Sequence, residues 1–516
     1  MHSHATETDR HINSFNRDTI AGLWARQVAM RPDEVAVSDP HRRLSFRQLD
    51  ELSCAIASMF PADSPDWSPN RRVGIIMDHS AEMIAAMLAV LKAGMAYVPA
   101  EPSFPIERIR FMMHEAGIRF LITNPHYSKL FTDVAEVVVE VPLPLIHCKC
   151  EADSDIDVMP SDAAYVLYTS GTTGKPKGVV ATNANVAHYV RAFDAEFHPA
   201  PGDRMLQYSI CSFDIFVEEV FTTILSGATL VIPPLDVKDN VYRLLDFCNR
   251  MSVTIISGFP YMLLDFNRIG RLPGYLRLLI SGGDVLRANY INRLRDKGVM
   301  IYNTYGPSET TVCAAFQRCD NIDALPDGTF PIGHPVLETE VKILDPYYHT
   351  PLPDGNVGEI CISGAGVTDG YLVDCPESRN FATDTGDTRI YHSGDLGYRL
   401  PDGKLAFLRR MDSQVMILGK RVECDEVENV LNLCPGIEKG LVRAYIAGDG
   451  LSYLVAYIVA KHETTFSLAE VRQEMLRHLT PFMIPEFFIL MKDIPLSPNG
   501  KPDSEQLPVP LKETSI

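Results

Sequence analysis

The stretch Tyr168-Thr169-Ser170-Gly171-Thr172-Thr173-Gly174-Lys175-Pro176-Lys177-Gly178 packs hydroxyls, glycines and two lysines into eleven residues. It follows directly on the β-rich run Tyr165-Val166-Leu167-Tyr168. Glycines let backbone N–H groups turn inward, hydroxyls add donors, and lysines neutralise negative charge. Such a loop is suited to cradling phosphate. It is not the Gly-x-x-x-x-Gly-Lys-Ser/Thr loop, because Pro176 follows Gly174-Lys175. A glycine-rich loop alone would read as a flexible surface segment. Eleven specific residues in this order point instead to a built site.

Outward from this loop, short apolar runs alternate with segments of helical length. Val73-Gly74-Ile75-Ile76-Met77, Thr229-Leu230-Val231-Ile232, Thr254-Ile255-Ile256 and Leu278-Leu279-Ile280 have the length and flanks of buried strands. Residues 81–92 and 242–251 have the length of helices. The alternation predicts α/β layers with largely parallel sheets. From about Pro326 the texture changes. Pro326-Asp327-Gly328, Pro353-Asp354-Gly355 and Pro401-Asp402-Gly403 are turn signals, and the runs between them suggest a smaller β-rich unit. In the last hundred or so residues, helical patterns over 425–433 and 468–479 flank strand-like runs over 440–446 and 453–459. That order predicts a small α+β module.

Composition narrows the class. The chain has 516 residues, 46% of them hydrophobic, which suits two to four structural units rather than disorder. Forty-seven Lys and Arg against 66 Asp and Glu give a formal charge of -19. With no dense basic run, nucleic acid is not an expected partner. The 11 cysteines include no Cys-x-x-Cys pair, so neither a zinc knuckle nor a disulfide framework is indicated. The polar N-terminus lacks the apolar core of a signal peptide, and the apolar stretch over 83–91 is too short to span a bilayer. A cytoplasmic monomer that does not engage membranes is expected.

Further segments carry a resemblance. The 168–178 loop is similar to the signature of the adenylate-forming superfamily, which includes acyl- and aryl-CoA ligases, luciferases and nonribosomal peptide synthetase adenylation domains. Leu44-Ser45-Phe46-Arg47-Gln48-Leu49 and Leu91-Lys92-Ala93-Gly94-Met95-Ala96-Tyr97-Val98-Pro99 resemble early motifs of the peptide-synthetase branch. Asn303-Thr304-Tyr305-Gly306-Pro307-Ser308-Glu309-Thr310-Thr311 resembles the adenine and metal motif, and Tyr391-His392-Ser393-Gly394-Asp395-Leu396 the ribose motif. Residues 479–485 and 496–501 resemble the closing motifs.

The resemblance implies ATP and Mg2+ as cofactors. It implies nucleotide contacts from Thr169, Ser170, Gly171, Thr172, Thr173, Gly174, Lys175, Gly283, Asn303, Thr304, Tyr305, Gly306, Thr310, Asp395, Phe407 and Arg410. Tyr305 offers a flat face to adenine, Asn303 a polar edge, and Asp395 an acceptor for ribose hydroxyls. Glu309 is the implied metal ligand and, with Lys501, the implied catalytic pair. The architecture implied is a large N-terminal part over 1–411, with two α/β layered subdomains and a β-rich one. A hinge at Asp412 follows, then a small mobile α+β domain over 413–516 that carries Lys501. Met416 and Leu418 depart from the Lys and Arg frequent after the hinge, Phe407 replaces a frequent Tyr, and Asn183 stands where His is common. The first pair faces the thiolation state, so the resemblance supports adenylation more strongly than thiol transfer.

Ser212-Phe213-Asp214-Ile215-Phe216-Val217-Glu218-Glu219 matches the start of the family's substrate pocket. Asp214 stands where amino-acid-activating members pair the substrate's α-ammonium; the plain alternative is a helix-capping Asp. Carrying the pocket over gives Asp214, Ile215, Glu218, Ser257, Ile280, Gly282, Thr304, Val312 and Cys313, with Lys501; the register at Ser257 stays open. A second carboxylate, Glu218, predicts a second substrate ammonium. Ile215 would shorten the pocket, favouring 2,3-diaminopropionate, 2,4-diaminobutyrate or ornithine over lysine, with β-lysine open. The expected activity is amino-acid adenylation, followed by transfer to a carrier protein's phosphopantetheine in trans. The alternatives are an acyl- or aryl-CoA ligase of the same fold and a non-catalytic scaffold.

Overall fold

The computed structural model describes residues 16–60, 71–142, 157–171, 175–238, 240–383, 388–412, 414–417, 419–447, 451–461, 467–495 and 506–510. Lys501, Leu418 and the loop residues Thr172, Thr173 and Gly174 lie outside them. The chain forms two compact units. The first comprises Met1–Pro102, Met113–Tyr168 and Gly178–Arg409; the second comprises Ser103–Met112, Thr169–Lys177 and Arg410–Ile516.

Among the described residues, the first unit carries three sheets. In a nine-stranded sheet, Met300–Tyr305, Leu278–Ser281, Ile255–Gly258, Arg204–Leu206, Thr229–Val231 and Val35–Ser38 lie side by side and parallel. A seven-stranded sheet sets Ala163–Thr169 next to Ala96–Pro99, Arg72–Ile76, Phe120–Thr123 and Val137–Glu140, again in parallel. All but the edge strand Val137–Glu140 are largely buried on both faces, which is why they read as continuous apolar runs. Helix Ala81–Lys92 starts at Ser80, whose hydroxyl accepts the Met83 N–H, and almost its whole surface is buried. The third sheet is antiparallel and holds Thr339–Leu344, Gly358–Gly364, Arg389–Arg399, Phe381–Thr383 and Leu405–Arg410. The expected pair of α/β layers plus a β-rich subdomain is what the chain builds.

In the second unit, Ile437–Ile446 and Ser452–Ala460 form an antiparallel pair, and Phe487–Leu490 runs parallel to the latter. Helices Cys424–Leu433 and Leu468–Met475 pack with them around Val427, Leu431, Leu454, Val471 and Met475. A two-stranded ribbon, Gln414–Ile417 with Lys420–Glu423, adjoins in sequence.

No disulfide joins the described cysteines, and no helix among the described residues is long and apolar enough to cross a membrane.

Candidate active site

The pocket motif folds as a short helix, Asp214–Val217, that widens at once into a π-turn over Glu218–Thr222. Thr222 and Thr223 hydroxyls donate to the Glu218 and Glu219 carbonyls at 2.6 Å, filling the widened turn. Such turns recur at functional sites because they re-aim a side chain. Phe213, not Asp214, is the residue at the helix cap, and no side chain caps this turn. Asp214 instead accepts a short hydrogen bond from Ser308. The capping alternative is therefore not what this aspartate does.

Glu218 is fully buried. It does not turn to solvent: the Tyr189 hydroxyl donates to its Oε2, while Oε1 has no hydrogen bond of ordinary length. Tyr189 comes from helix Asn183–Phe197, which is fixed by a capping box between Thr182 and Asn185. Burial pushes the Glu218 carboxyl up to about 7, although the Ser257 and Tyr189 hydroxyls hold it down; the charge of Asp214 adds to the rise. Burial likewise lifts Asp214 to about 6, against the Ser308 hydroxyl and with the charge of Glu309. Neither carboxyl has a Lys or Arg among the groups that act on it most. Two acids whose largest influences include no cation among the described residues suit a ligand that brings positive charge.

Strand packing supplies the rest of the wall. Ser257 on Ile255–Gly258 faces the Ile280 register on Leu278–Ser281, and Ile280 pairs with Tyr302, next to Thr304 on the third strand. The Cys313 thiol is pushed up by burial and by Glu218, and it lies within hydrogen-bonding reach of Thr304 and Tyr189. Ile280, Val312 and Cys313 share one apolar core. A Cβ on Gly282 would meet Thr304 Oγ1 at 2.6 Å, so the backbone runs tight against Thr304. Ile215 is buried on the helix that carries Asp214.

Loop 306–313 brings the acid of the metal motif to the same region. Thr311 and Val312 adopt φ of 59° and 69°, costly for β-branched residues and characteristic of functional loops. The Thr311 hydroxyl, donating to Gly366 O at 2.7 Å, helps to hold this bend. Glu309 is fully buried and accepts from the Tyr371 hydroxyl at 2.6 Å. Thr310 donates to Pro307 O within the same turn, and Gly283, two residues past the strand Leu278–Ser281, has φ of 76°.

Of the nucleotide set, Tyr305 and Asp395 meet directly, Tyr305 Oη donating to Asp395 Oδ2 at 2.6 Å. The Phe407 ring lies 6.4 Å from that of Tyr305. Asn303 Nδ2 is committed to Pro331 O at 2.9 Å, which leaves Oδ1 as its free edge. A register shift in the ladder between Gly358–Gly364 and Arg389–Arg399 falls at Ser393-Gly394-Asp395. This bulge, with Gly394 at φ 71°, is what throws Asp395 out of the regular ladder.

In the second unit, Ser170 Oγ donates to Arg421 O at 3.2 Å, and a Cβ on Gly171 would strike Lys175 O at 2.3 Å. Lys175 Nζ stands 5.8 Å over the Phe111 ring. Arg410 makes a bidentate pair with Asp412, 2.8 Å on each arm, which keeps the Asp412 carboxyl low although burial pushes it up. Thr169 ends strand Ala163–Thr169.

Tyr189 and Tyr371 were not marked by any motif, and Ser308, although inside the adenine and metal motif, was given no role there. Each holds a site carboxyl through a hydroxyl, from a segment that lies elsewhere in the sequence or carries no charge to draw attention. Asn183, where His is common in the resembling family, bridges Ile20 N and Asp162 O and so anchors the helix that carries Tyr189.

Comparison with known proteins agrees with these observations. Residues 24–372 match the AMP-binding enzyme family and residues 426–501 its C-terminal domain. The chain belongs to the AMP-binding enzyme family. It is 35% identical over 509 residues to gramicidin S synthase 2 of Brevibacillus brevis, a match that covers 96% of this chain and 11% of that one. The chain thus corresponds to about a tenth of that relative's length. Solved structures of similar fold include NpsA-ThdA of Klebsiella oxytoca, an artificially fused adenylation–PCP di-domain nonribosomal peptide synthetase. Its TM-score is 0.80 at 23% identity, covering 91% of this chain and 93% of that one. The o-succinylbenzoate CoA synthetase of Bacillus subtilis also reaches 0.80, at 22% identity, covering 94% and 97%. AMP-binding enzymes of both kinds therefore share the fold, and only the side chains of the site can distinguish them.

Proposed function

We propose that the chain activates an amino acid bearing two ammonium groups as its aminoacyl-adenylate, using ATP, and passes it to the phosphopantetheine thiol of a carrier protein in trans. The observation that carries this reading is the pair of carboxyls, buried Glu218 and half-buried Asp214, beside the apolar Ile280, Val312 and Cys313. Asp214 receives the α-ammonium and Glu218 the second one. Ile215 keeps the pocket short, favouring 2,3-diaminopropionate, 2,4-diaminobutyrate or ornithine.

Tyr305 and Phe407 flank the adenine, with Asn303 Oδ1 at its edge, and Asp395 accepts from the ribose. Buried Glu309, an oxygen donor whose charge already weighs on Asp214, suits Mg2+. Held by Glu309, the ion would supply positive charge to offset that of the phosphates. The substrate carboxylate attacks the α-phosphorus and pyrophosphate leaves. Lys501, by its match to the family motif, neutralises the charge that gathers on the phosphorus oxygens. Oriented reactants account for much of the rate in such transfers.

ATP–pyrophosphate exchange over a panel of amino acids tests the proposal. Fastest exchange with a diamino acid is expected. Fastest exchange with a neutral amino acid would overturn the two-ammonium pocket. No exchange with any amino acid, together with CoA thioester formation from a fatty or aryl acid, would overturn amino-acid activation itself. Lys501→Ala is expected to abolish most exchange while leaving the circular dichroism spectrum unchanged.

A further inference from the structure

On the antiparallel sheet of the first unit, three side chains with metal-binding atoms converge outside the site described above. His349, Glu359 and His392 each place one ligand atom within 4.8 Å of the others. His392 Nδ1 lies 2.9 Å from Glu359 Oε2 and 3.3 Å from Cys361 Sγ. The ring of His349 meets that of His392 edge to face, with centroids 4.9 Å apart.

The ladder explains the convergence. Cys361 is the cross-strand partner of His392, and Glu359 stands two residues before Cys361 on the same strand. The other carboxylate oxygen of Glu359 accepts the Gly394 N–H at 3.0 Å, which fixes the carboxylate plane and aims Oε2 at His392. Ligating carboxylates in metal sites are commonly held by such outer hydrogen bonds. Glu359 and Cys361 are buried, His392 is half-buried and His349 exposed. The group therefore has a closed floor and an open mouth.

An ion pair between His392 and Glu359 would account for those two residues alone. It does not account for a second imidazole gathered on the same spot. We propose that His349, Glu359 and His392 form a divalent-metal site of the zinc type. Two imidazoles and a carboxylate match the ligand preference of Zn2+. The bound ion would tie the turn carrying His349 to the sheet. It would also hold His392, three residues before Asp395. The site stands apart from the adenylation reading and does not depend on it.

The test uses the full chain, freed of metal by a chelator that is then removed. Zn2+ is titrated by calorimetry and Co2+ by absorption, for the wild type and for His349→Ala, whose exposed side chain makes it the safest variant to fold. The chain carries 15 histidines in all, so the quantity read is the difference between the two proteins. One equivalent more is expected in the wild type, with tetrahedral Co2+ bands in the visible. Loss of one ligand is expected to weaken that equivalent at least about tenfold. Equal binding by the wild type and His349→Ala would overturn the site and leave an ion pair only.

Discussion

Burial lifts Glu218 to about 7 and Asp214 to about 6, so near neutral pH Glu218 is partly held as the acid while Asp214 is largely ionised. A substrate ammonium needs the carboxylate, and ionisation therefore accompanies binding. For a diamino acid, the apparent affinity should rise between pH 6 and 8. Below that window it should fall by about tenfold per pH unit for each carboxyl that must lose its proton. A neutral amino acid meets only the Asp214 limit, so the two KM profiles should diverge across the window; parallel profiles would count against Glu218 as the counter-charge. Glu218→Gln should sharply lower exchange with the diamino acid relative to a neutral one. Gly306 is constrained by space rather than by charge. A Cβ there would lie 2.5 Å from Cys313 Cα and 2.7 Å from Ala314 N, both backbone atoms. Gly306→Ala should cost about 1–3 kcal/mol and lower the melting temperature. The residue types at Asp214 and Glu218 were legible in the sequence through the pocket motif. Tyr189 was not, nor was the pairing of Ser308 with Asp214, because a hydroxyl that meets a carboxyl across many residues leaves no local pattern.

Helix Asn183–Phe197 serves the site chiefly through its first turn. Asn185 Oδ1 accepts from Thr182 N at 2.9 Å, and its Nδ2 donates to Ala365 O and Val367 O at 2.9 and 3.2 Å. The segment it holds includes Gly366, whose carbonyl receives the Thr311 hydroxyl. A single side chain thus caps the helix that carries Tyr189 and steadies the loop that carries Glu309. Asn185→Ala should cost about 2–4 kcal/mol, the sum of a lost cap and buried carbonyls left unpaired. It should also raise KM for both substrates; a drop in melting temperature with both KM values unchanged would confine its role to stability. Strand and helix positions around the site were readable from apolar runs and their turn residues. The π-turn at Glu218–Thr222 and the bulge at Asp395 were not, since each arises from packing against neighbours rather than from composition.

Across the whole molecule, buried acids set the pH dependence of stability. Glu218, Glu219 and Glu423 are raised from 4.5 to about 7, chiefly by burial. The folded chain keeps those protons over a range in which the unfolded chain has released them, so their effect is to lower stability as pH rises from 4.5 to about 7. Glu101 acts the other way: burial raises it, but His79 and the Cys211 N–H outweigh burial and hold it near 2. Its stabilisation is present above 4.5 and lost as pH falls toward 2. The free protein should therefore melt at its highest temperature near about pH 5 and lose stability toward pH 8. Glu218→Gln should flatten that loss, adding about 2–3 kcal/mol at pH 8. A melting temperature that climbs steadily from pH 5 to 8 in the free protein would contradict this account. By itself the sequence determined the alternation that builds two α/β layers, the ordered motifs that match the AMP-binding enzymes, and the two acids proposed to meet the substrate. Only the tertiary structure decided that Glu218 is sealed behind Tyr189, that Asp214 bonds to Ser308 rather than capping its helix, and that His349 and His392 meet over Glu359. Motif residues announce their chemistry one at a time. Burial and partnership are sums over segments brought together by folding, and they set whether an acid is charged and what it will bind.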